Sequence, residues 1–275
     1  MVTDQLRKAG TGVRPSSTGV CQGVYDAGTD QTTFTDTRPL AIGATAVSSP
    51  AIVVGASAQA VGVGVATVDD CFGADRIAVW LENTTTHAQK YVELSYYDSD
   101  ATATDYIDYW VAATSFSNYD RGTWAIAQVG WTDTSGSVTF DASDNVVSDD
   151  RVVADAQFSS GFAGTRVAVS VVTATTADGS PEPVKKGNRL TVKAATLKAQ
   201  GSKWVANGYQ RARIEYRAPG SGKWKLLAYV NTNRYGQGST SFKVGAKGTW
   251  SFRTVYYGGS GFAKSISKVD YVTAK

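Results

Sequence analysis

The chain has 275 residues, with 27 Lys and Arg, 24 Asp and Glu, and a formal net charge of +3 at pH 7. This length exceeds one small β-sandwich and fits two domains of roughly 90–130 residues each. No apolar stretch reaches the roughly 18–20 residues that a membrane-spanning helix needs. The start is polar and shows no leader peptide, so we expect either a removed leader or no export by that route.

Charge is divided sharply along the chain. Residues 1–180 contain 9 Lys and Arg against 21 Asp and Glu, whereas residues 181–275 contain 18 against 3. The two parts therefore carry −12 and +15. Such a division concerns partners and solubility rather than fold. It predicts that an anionic partner contacts the C-terminal third, and it offers a route to self-association through oppositely charged domains.

Residues 1–45 form a predicted N-terminal arm, because they are rich in Gly, Thr, Ser and Asp and show little periodicity. Such a segment is disordered, wraps the first domain, or pairs with the sheet edge of another chain. The chain's only cysteines are Cys21 and Cys71. An even, low count predicts one disulfide, which would anchor the arm and stabilise by roughly 4 kcal/mol. Two separate buried thiols are the alternative.

Residues 46–177 are the predicted acidic domain. Short runs of Val, Thr and Tyr are broken by Gly, Asn and Asp, as is typical of strands. The valines of residues 61–65 alternate on one face, and so do Ile77, Val79 and Leu81. About eight such runs predict an antiparallel sandwich. No stretch has a 3.6-residue period over three turns, so no helix is predicted.

The segment from Thr176 to Pro183 holds two prolines and is predicted to be a short, stiff linker. Residues 181–275 follow as the basic domain, in which strand-like runs are separated by Gly-rich turns such as Gly258 to Gly261. This pattern predicts a second sandwich. The fold class expected from the whole chain is all-β.

Several short motifs follow one another in the C-terminal third. Pro-Glu-Pro-Val-Lys-Lys-Gly stands at 181–187, Leu-Thr-Val at 190–192, Gly-Thr-Trp at 248–250 and Asp-Tyr-Val at 270–272. Residues 180–275 thereby resemble the immunoglobulin-like repeat domain of secreted actinobacterial proteins of the Streptomyces type. The stretch 66–81 within residues 45–177 resembles the module that often precedes this domain.

The resemblance implies two tandem immunoglobulin-like β-sandwiches with an N-terminal arm, in an extracellular or cell-envelope setting in an actinobacterium. It implies no reaction, because the family has no agreed catalytic residues. It also puts Trp204, Trp224 and Trp250 at framework positions, which predicts that all three rings are part of the core.

Motifs of catalysis are missing from the sequence. His87, the only histidine, lies in a polar turn, and there is no G-x-S-x-G elbow, phosphate-binding loop or dinucleotide fingerprint. We therefore predict a non-catalytic protein. A wall-directed glycoside hydrolase is an alternative, since it needs only two carboxylates. Its candidate acids lie in two clusters: Asp98, Asp100, Asp105 and Asp108, and Asp144, Asp149 and Asp150.

One acidic loop is a candidate for calcium, a cation that prefers carboxylate and carbonyl oxygens. Asp69, Asp70 and Asp75 bracket this loop. They do not match the twelve-residue calcium loop of helix–loop–helix proteins, and solvated turn aspartates are the alternative. No other cofactor is predicted.

The basic domain holds the strongest candidate site. Three arginines alternate on one predicted strand and share a face, and aromatic residues lie between the cations. Such surfaces suit anionic polymers, for example wall teichoic acids, whereas nucleic acid is not expected. A solvated surface that keeps the domain soluble is the alternative. The predicted binding residues are Lys185, Lys186, Lys193, Lys198, Arg211, Arg213 and Arg217.

Together these patterns predict a non-catalytic extracellular binding or structural protein. Its basic domain would contact an anionic surface polymer or a protein partner. The rival hypothesis is a subunit of a larger particle, such as a secreted toxin assembly or a phage virion, that docks through the N-terminal arm.

Overall fold

A computed structural model describes residues 23–36, 40–68, 74–97, 107–153 and 155–275. All regular structure in these ranges is β, in 22 strands, which confirms the predicted fold class. No helix in the described ranges is long and apolar enough to cross a membrane. The chain divides into two compact units, which we call unit 1 (within residues 1–50, 60–115 and 123–167) and unit 2 (residues 51–59, 116–122 and 168–275).

Unit 1 contains a long hydrogen-bonded path of strands. Their bounds are β1 (Gly23–Asp26), β2 (Gln31–Asp36), β3 (Ala41–Val47), β5 (Gln59–Val68), β6 (Ala74–Asn83), β7 (Gln89–Tyr96), β8 (Ile107–Phe116) and β9 (Gly122–Asp141). Their order is β1-β2-β9-β6-β7-β8-β5-β3. Three short strands, β10 (Val146–Asp149), β11 (Val152–Val153) and β12 (Gln157–Ser160), pair with the long strand β9.

Alternation along the strands creates the core of unit 1. Val61, Val63 and Val65 of β5 are fully buried, and Ile77, Val79 and Leu81 of β6 are fully buried too. Successive side chains of a strand point to opposite faces, so a period of two in the sequence becomes one buried face. The predicted inward residues of both strands are confirmed.

Part of the predicted arm belongs to this sheet. Residues 23–36 form the hairpin β1–β2, and β2 pairs along its whole length with β9, from Gln31 opposite Asp141 to Asp36 opposite Gly136. Of the three expectations for the arm, wrapping onto the same chain holds for this stretch. Residues 1–22 lie outside the described part of the chain.

Unit 2 consists of two packed sheets and one additional pair of strands. The pair is β4 (Ala51–Val54) and β13 (Arg166–Val171), which run parallel, unlike the antiparallel pattern expected. The sandwich strands are β14 (Thr173–Ser180), β15 (Arg189–Gln200), β16 (Lys203–Ala206), β17 (Arg211–Arg217), β18 (Lys225–Asn231), β19 (Gln237–Lys243), β20 (Gly248–Tyr256), β21 (Ser265–Ile266) and β22 (Asp270–Ala274).

Strand order identifies the sandwich type. One sheet contains β14, β15 and β19, with short β16 beside β15, and the other contains β18, β17, β20 and β22, with β21 beside β20. Among the seven long strands, the first, second and fifth thus share a sheet, and the remaining four share the other. Immunoglobulin-like sandwiches partition strands A, B and E from C, F and G in this way. The predicted immunoglobulin-like fold is therefore confirmed for unit 2.

The core of unit 2 is formed by the inner faces of these sheets. Leu190 and Val192 of β15 meet Ile214 of β17 and Phe252 of β20, all fully buried. Trp250 is 6% exposed and donates a hydrogen bond from Nε1 to the carbonyl of Ala246 at 3.0 Å. A satisfied indole N–H lets this large ring enter the core without an unpaired donor.

Two expectations about the C-terminal third need correction. Trp204 is 52% exposed and Trp224 is half-buried outside the core cluster, so neither ring is a core residue. Residues 176–180, expected to begin a linker, are the second half of β14 and pair with β15 from Ala195 to Thr191. The domain boundaries at residues 46–177 and 181–275 stay a prediction, because unit 2 also takes in two segments from the first half of the chain.

Candidate functional site

Strand β17 points its arginines away from the core. Ala212 and Ile214 are fully buried, whereas Arg211 is exposed and Arg213 is half-buried. Tyr216 packs against the core and lies 5.8 Å from Trp250, measured between ring centroids. The alternation therefore places the arginines on the outer face of the sheet.

We call this surface the arginine face. It is the outer side of β18, β17 and β20 together with the residues that flank them. Its members are Arg211, Arg213, Glu215, Arg217, Trp224, Tyr229, Arg253 and Tyr257.

A buried carboxylate organises the middle of the arginine face. Glu215 accepts from Nη2 of Arg213 at 2.8 Å and from Nε of Arg253 at 2.6 Å, and its side chain is only 6% exposed. Both arginine side chains remain about one quarter exposed, at 26% and 27%. A charge this deeply buried needs such partners, because desolvation alone would be costly. The trio still carries one net positive charge.

Aromatic rings support the other arginines. The guanidinium carbons of Arg217 and Arg253 lie 4.5 and 4.2 Å from the centroid of the half-buried Trp224. Arg211 lies 4.5 Å from the centroid of Tyr229. In the described part of the chain, neither Arg211 nor Arg217 is paired with a carboxylate. Stacking orders a guanidinium without using its N–H groups; Nε of Arg217 is buried, so Arg217 can meet an anion only through its terminal nitrogens.

Electrostatics keep Arg213 charged. Burial by itself would lower the pKa of Arg213, but the hydrogen bond from its Nη1 to the Tyr257 hydroxyl at 3.2 Å and the charge of Glu215 raise this pKa above its ordinary value. The side chain is therefore cationic at any physiological pH.

The predicted lysines do not join the arginine face. Lys193 lies on β15 of the other sheet, directly opposite Asp178 of β14. Lys198 lies further along β15, with its Nζ 5.5 Å from the ring centroid of Phe262. Lys185 and Lys186 are exposed just before β15, where the amide of Lys186 donates to the carbonyl of Lys275. The seven predicted residues thus occupy several surfaces, and their roles stay predictions.

The outer surface around Lys193 is different, and we call it the polar face. It belongs to β14, β15 and β19 and borders a groove of about 470 Å³. Thr191 and Ser241 share a hydroxyl–hydroxyl hydrogen bond of 2.8 Å on this side. The members of the polar face are Thr176, Asp178, Arg189, Thr191, Lys193, Ala195, Ser239, Ser241 and Lys243.

Arg253 and the stacking role of Trp224 were missed by the sequence. The signal for Arg253 is present, because Phe252 is an inward residue of β20 and its neighbour must point outward. Trp224 carries no comparable signal. A Trp before a strand is as compatible with a core as with a platform for two guanidinium groups.

The predicted disulfide and the predicted calcium site lie mostly outside the described residues. Cys21, Cys71, Asp69 and Asp70 lie outside the described residues, so the disulfide and the calcium site stay predictions. Asp75 is exposed in β6. Within the described ranges, no cluster of His, Cys, Asp and Glu could hold a metal ion.

The acidic clusters look like turns and ion pairs in the part that is described. Asp98, Asp100 and Asp105 lie outside it, and Asp108 accepts from the Tyr96 hydroxyl at 3.3 Å. A side-chain hydrogen bond from Arg151 lowers the pKa of the exposed Asp149 to about 2. A carboxyl with so low a pKa is ionised and unsuited to the proton donation that glycoside hydrolysis needs.

His87 lies in an exposed turn, as predicted. Its Nδ1 is 2.7 Å from Oε1 of Glu82, and the turn is closed by the Asn83 side chain, which accepts from the amides of Thr85 and Thr86. The residue has a φ of 58°, a conformation that polar turn residues tolerate best. These contacts are those of a polar turn.

Comparisons with known proteins find remote likenesses only. No family model matches the chain, and no curated protein matches it. Among solved structures, the chain resembles the Escherichia coli adhesin FdeC (10% identity, TM-score 0.35, covering 84% of this chain and 63% of that one). It also resembles domains A168–A170 of titin (10% identity, TM-score 0.32, covering 89% and 74%).

A third likeness is to a tetra-tandem repeat in the extending region of a large adhesion protein. That match has 10% identity and a TM-score of 0.34, and it covers 84% of this chain and 50% of the other. The chain spans less than two thirds of the adhesin FdeC and half of the adhesion-protein repeat. Similarity this low carries no argument about function, so the fold assignment depends on the strand order of unit 2.

Proposed function

We propose that the protein is a non-catalytic extracellular binding protein that contacts an anionic polymer of the cell envelope through its arginine face. The observation that carries this proposal is the outward row of arginines on β17, two of them stacked on aromatic rings and unpaired with carboxylates of the described residues. Glu215, the carboxylate shared by Arg213 and Arg253, is buried beneath the arginines, so the exposed surface is cationic.

Geometry favours an extended ligand over a compact one. Residues two apart on a strand are roughly 6.6 Å apart, so Arg211, Arg213 and Arg217 offer three cations over about 20 Å, with the buried Glu215 between the second and the third. A polymer with a repeating phosphate or carboxylate can meet several of them at once. Each guanidinium fork matches such groups with two parallel hydrogen bonds.

The test is a titration of the full chain with inorganic polyphosphate. Fluorescence anisotropy measures Kd at salt concentrations between 50 and 300 mM. Arg211→Gln with Arg217→Gln should raise Kd about a hundredfold at low salt, since two charge-assisted contacts of about 1.5 kcal/mol each are lost. The slope of log Kd against log salt should fall by roughly 1 to 2, because fewer counterions are released.

The matched control removes the same charge from the other sheet. Arg189 and Lys193 are exposed on β15, so Arg189→Gln with Lys193→Gln lowers the net charge equally without touching the arginine face. This variant should bind polyphosphate within about twofold of the original chain. Equal losses in both double variants, or no saturable binding at all, would show that the positive charge acts only through its total.

A further inference from the structure

Two loops of unit 2 lie directly beyond the ends of β17 and β18, the strands that carry much of the arginine face. Residues 207–210 precede β17, and residues 232–236 follow β18. The loops are joined, because the amide of Tyr209 donates to the carbonyl of Asn233 at 3.2 Å. We call them the tyrosine loops, since each carries one strongly exposed tyrosine, Tyr209 at 79% and Tyr235 at 57%.

The tyrosine loops are held in place by their own backbone contacts. The side-chain oxygen of Asn233 accepts from the amides of Tyr235 and Gln237 at 2.9 and 3.1 Å. Gly208 lets the loops approach each other, because a Cβ there would lie 2.6 Å from the carbonyl oxygen of Arg234. Loops that are closed in this way are ordered before a ligand arrives, so binding costs less conformational entropy.

Tyr209 has an unusual backbone conformation. Its φ is 58°, in the left-handed region, where Gly or Asn is accommodated far more easily than an aromatic residue. Its ring is mostly exposed, so it adds little to the core in return. A strained residue whose side chain lies outside the core points to a role in binding.

Tyr235 is fixed next to a cation. The guanidinium carbon of Arg234 lies 4.6 Å from the centroid of the Tyr235 ring, and Nη2 of Arg234 donates to the Tyr235 hydroxyl. A tyrosine offers a rigid, partly apolar contact surface with only two side-chain torsions to order. The tyrosine loops therefore present two such rings at one end of the sandwich.

The tyrosine loops continue the arginine face along the chain. Arg211 follows Tyr209 by two residues, so their Cα atoms are at most about 7 Å apart. Arg211 also pairs with Asn231, the last residue before the second loop. A polymer that lies along the arginines would reach the tyrosines at this end.

A ligand that contacts both surfaces needs anionic groups and flat apolar surfaces. Polyphosphate has only the charges, whereas a sugar ring exposes C–H groups that stack on an aromatic ring, and acidic sugars add the charge. A protein partner fits less well, because a stable interface buries about 800 Å² on each side around an apolar centre. The neighbours of the two rings, Gln210, Asn233 and Arg234, are polar.

We infer that the polymer recognised by the arginine face is an acidic polysaccharide, whose sugar rings stack on Tyr209 and Tyr235 while its anionic groups meet the arginines. The inference rests on the proposed function and narrows the chemical class of its ligand. It follows that the arginines set the affinity for any polyanion, whereas the two tyrosines set the preference for sugars.

The test compares oligogalacturonate, a chain of carboxylated sugars, with polyphosphate of the same number of charges, each titrated into the full chain. Tyr209→Asn removes the ring and keeps a residue that tolerates the left-handed conformation, so folding should be retained. Kd for oligogalacturonate should rise about tenfold, the scale of one lost stacking contact, whereas Kd for polyphosphate should stay within about twofold. Tyr235→Asn should show the same selective loss.

The matched control is Tyr25→Asn. This tyrosine is 60% exposed on β1 of unit 1, so its removal should change neither Kd. Polyphosphate binding without oligogalacturonate binding, or an unchanged oligogalacturonate Kd in both loop variants, would overturn this inference alone. Tighter binding of oligothymidylate than of oligogalacturonate, lost in Tyr209→Asn, would assign the rings to nucleic-acid bases and also overturn it. Absence of saturable polyphosphate binding would instead contradict the proposed function.

Discussion

The two outer faces of the unit 2 sandwich cover one core but carry different chemistry. The arginine face combines four arginines, three aromatic rings and one buried carboxylate. The polar face carries small polar side chains together with Lys193, which stands opposite Asp178, and Arg189, which stands opposite Lys243. The arginines and lysines of both faces belong to the same +15 segment, so net charge by itself does not separate the faces.

The difference teaches what turns charge into a binding surface. A solvated lysine adds to the total charge and to solubility, yet its flexible stem must be ordered before it binds anything. A guanidinium that is already stacked on Trp224 or Tyr229 has lost much of that freedom in the fold. Binding then costs less side-chain entropy at the arginine face than at the polar face.

Removing the shared core should abolish both faces together, and this is the largest effect we expect. Trp250→Ala deletes a ring that is 6% exposed, and it should lower the free energy of unfolding of unit 2 by about 3 to 5 kcal/mol. Denaturant unfolding followed by fluorescence measures the change. Trp204→Ala is the control and should cost below about 1 kcal/mol, because that ring is 52% exposed. A similar cost for both would contradict the core assignment.

Shortening β14 should damage the polar face more than the arginine face. A chain that starts at Asp178 loses Thr173 to Ala177, which pair with β15 from Lys198 to Ala194. Compared with a chain that starts at Ala168, it should be less stable by about 3 kcal/mol, since several ladder hydrogen bonds disappear. Thermal unfolding of the two chains tests this. Identical midpoints would mean that residues 173–177 are indeed only a linker.

Neutralising the buried carboxylate should change the arginine face alone. Glu215→Gln leaves Arg213 and Arg253 without their anion, and it should lower the free energy of unfolding by about 2 kcal/mol, less than for a fully buried pair because both arginines are a quarter exposed. The same variant should bind polyphosphate more tightly, as one opposing charge is gone. Weaker polyphosphate binding in a folded Glu215→Gln chain would speak against this arrangement.

Removing the aromatic platform should give the smallest effect. Trp224→Ala takes away the ring beneath Arg217 and Arg253, and it should cost about 1 kcal/mol of stability, the usual scale of exposed cation–π contacts. Polyphosphate affinity should fall about threefold, because the two guanidinium groups regain freedom. Anisotropy titrations measure this, with Trp204→Ala as the ring-removal control that should bind normally.

The sequence by itself determined the all-β class and the inward residues of strands such as β5, β6 and β17. A period of two at Val61, Val63 and Val65 or at Ala212 and Ile214 leaves one buried face, whatever the neighbouring strands are. The charge division and the outward direction of the β17 arginines follow from the same reading. The direction of a side chain along a strand depends only on its position in that strand, so one segment of sequence is enough to predict it.

Tertiary structure alone decided which side chains meet. Glu215 pairs with Arg253, 38 residues away, and Trp224 stacks on arginines from two strands, because pairing of β17 with β20 brings them together. The same pairing order puts Lys193 on the opposite sheet from Arg213 and Phe262 next to Lys198. Composition cannot reveal such contacts, since strand order is settled by the packing of the whole core and not by any one strand.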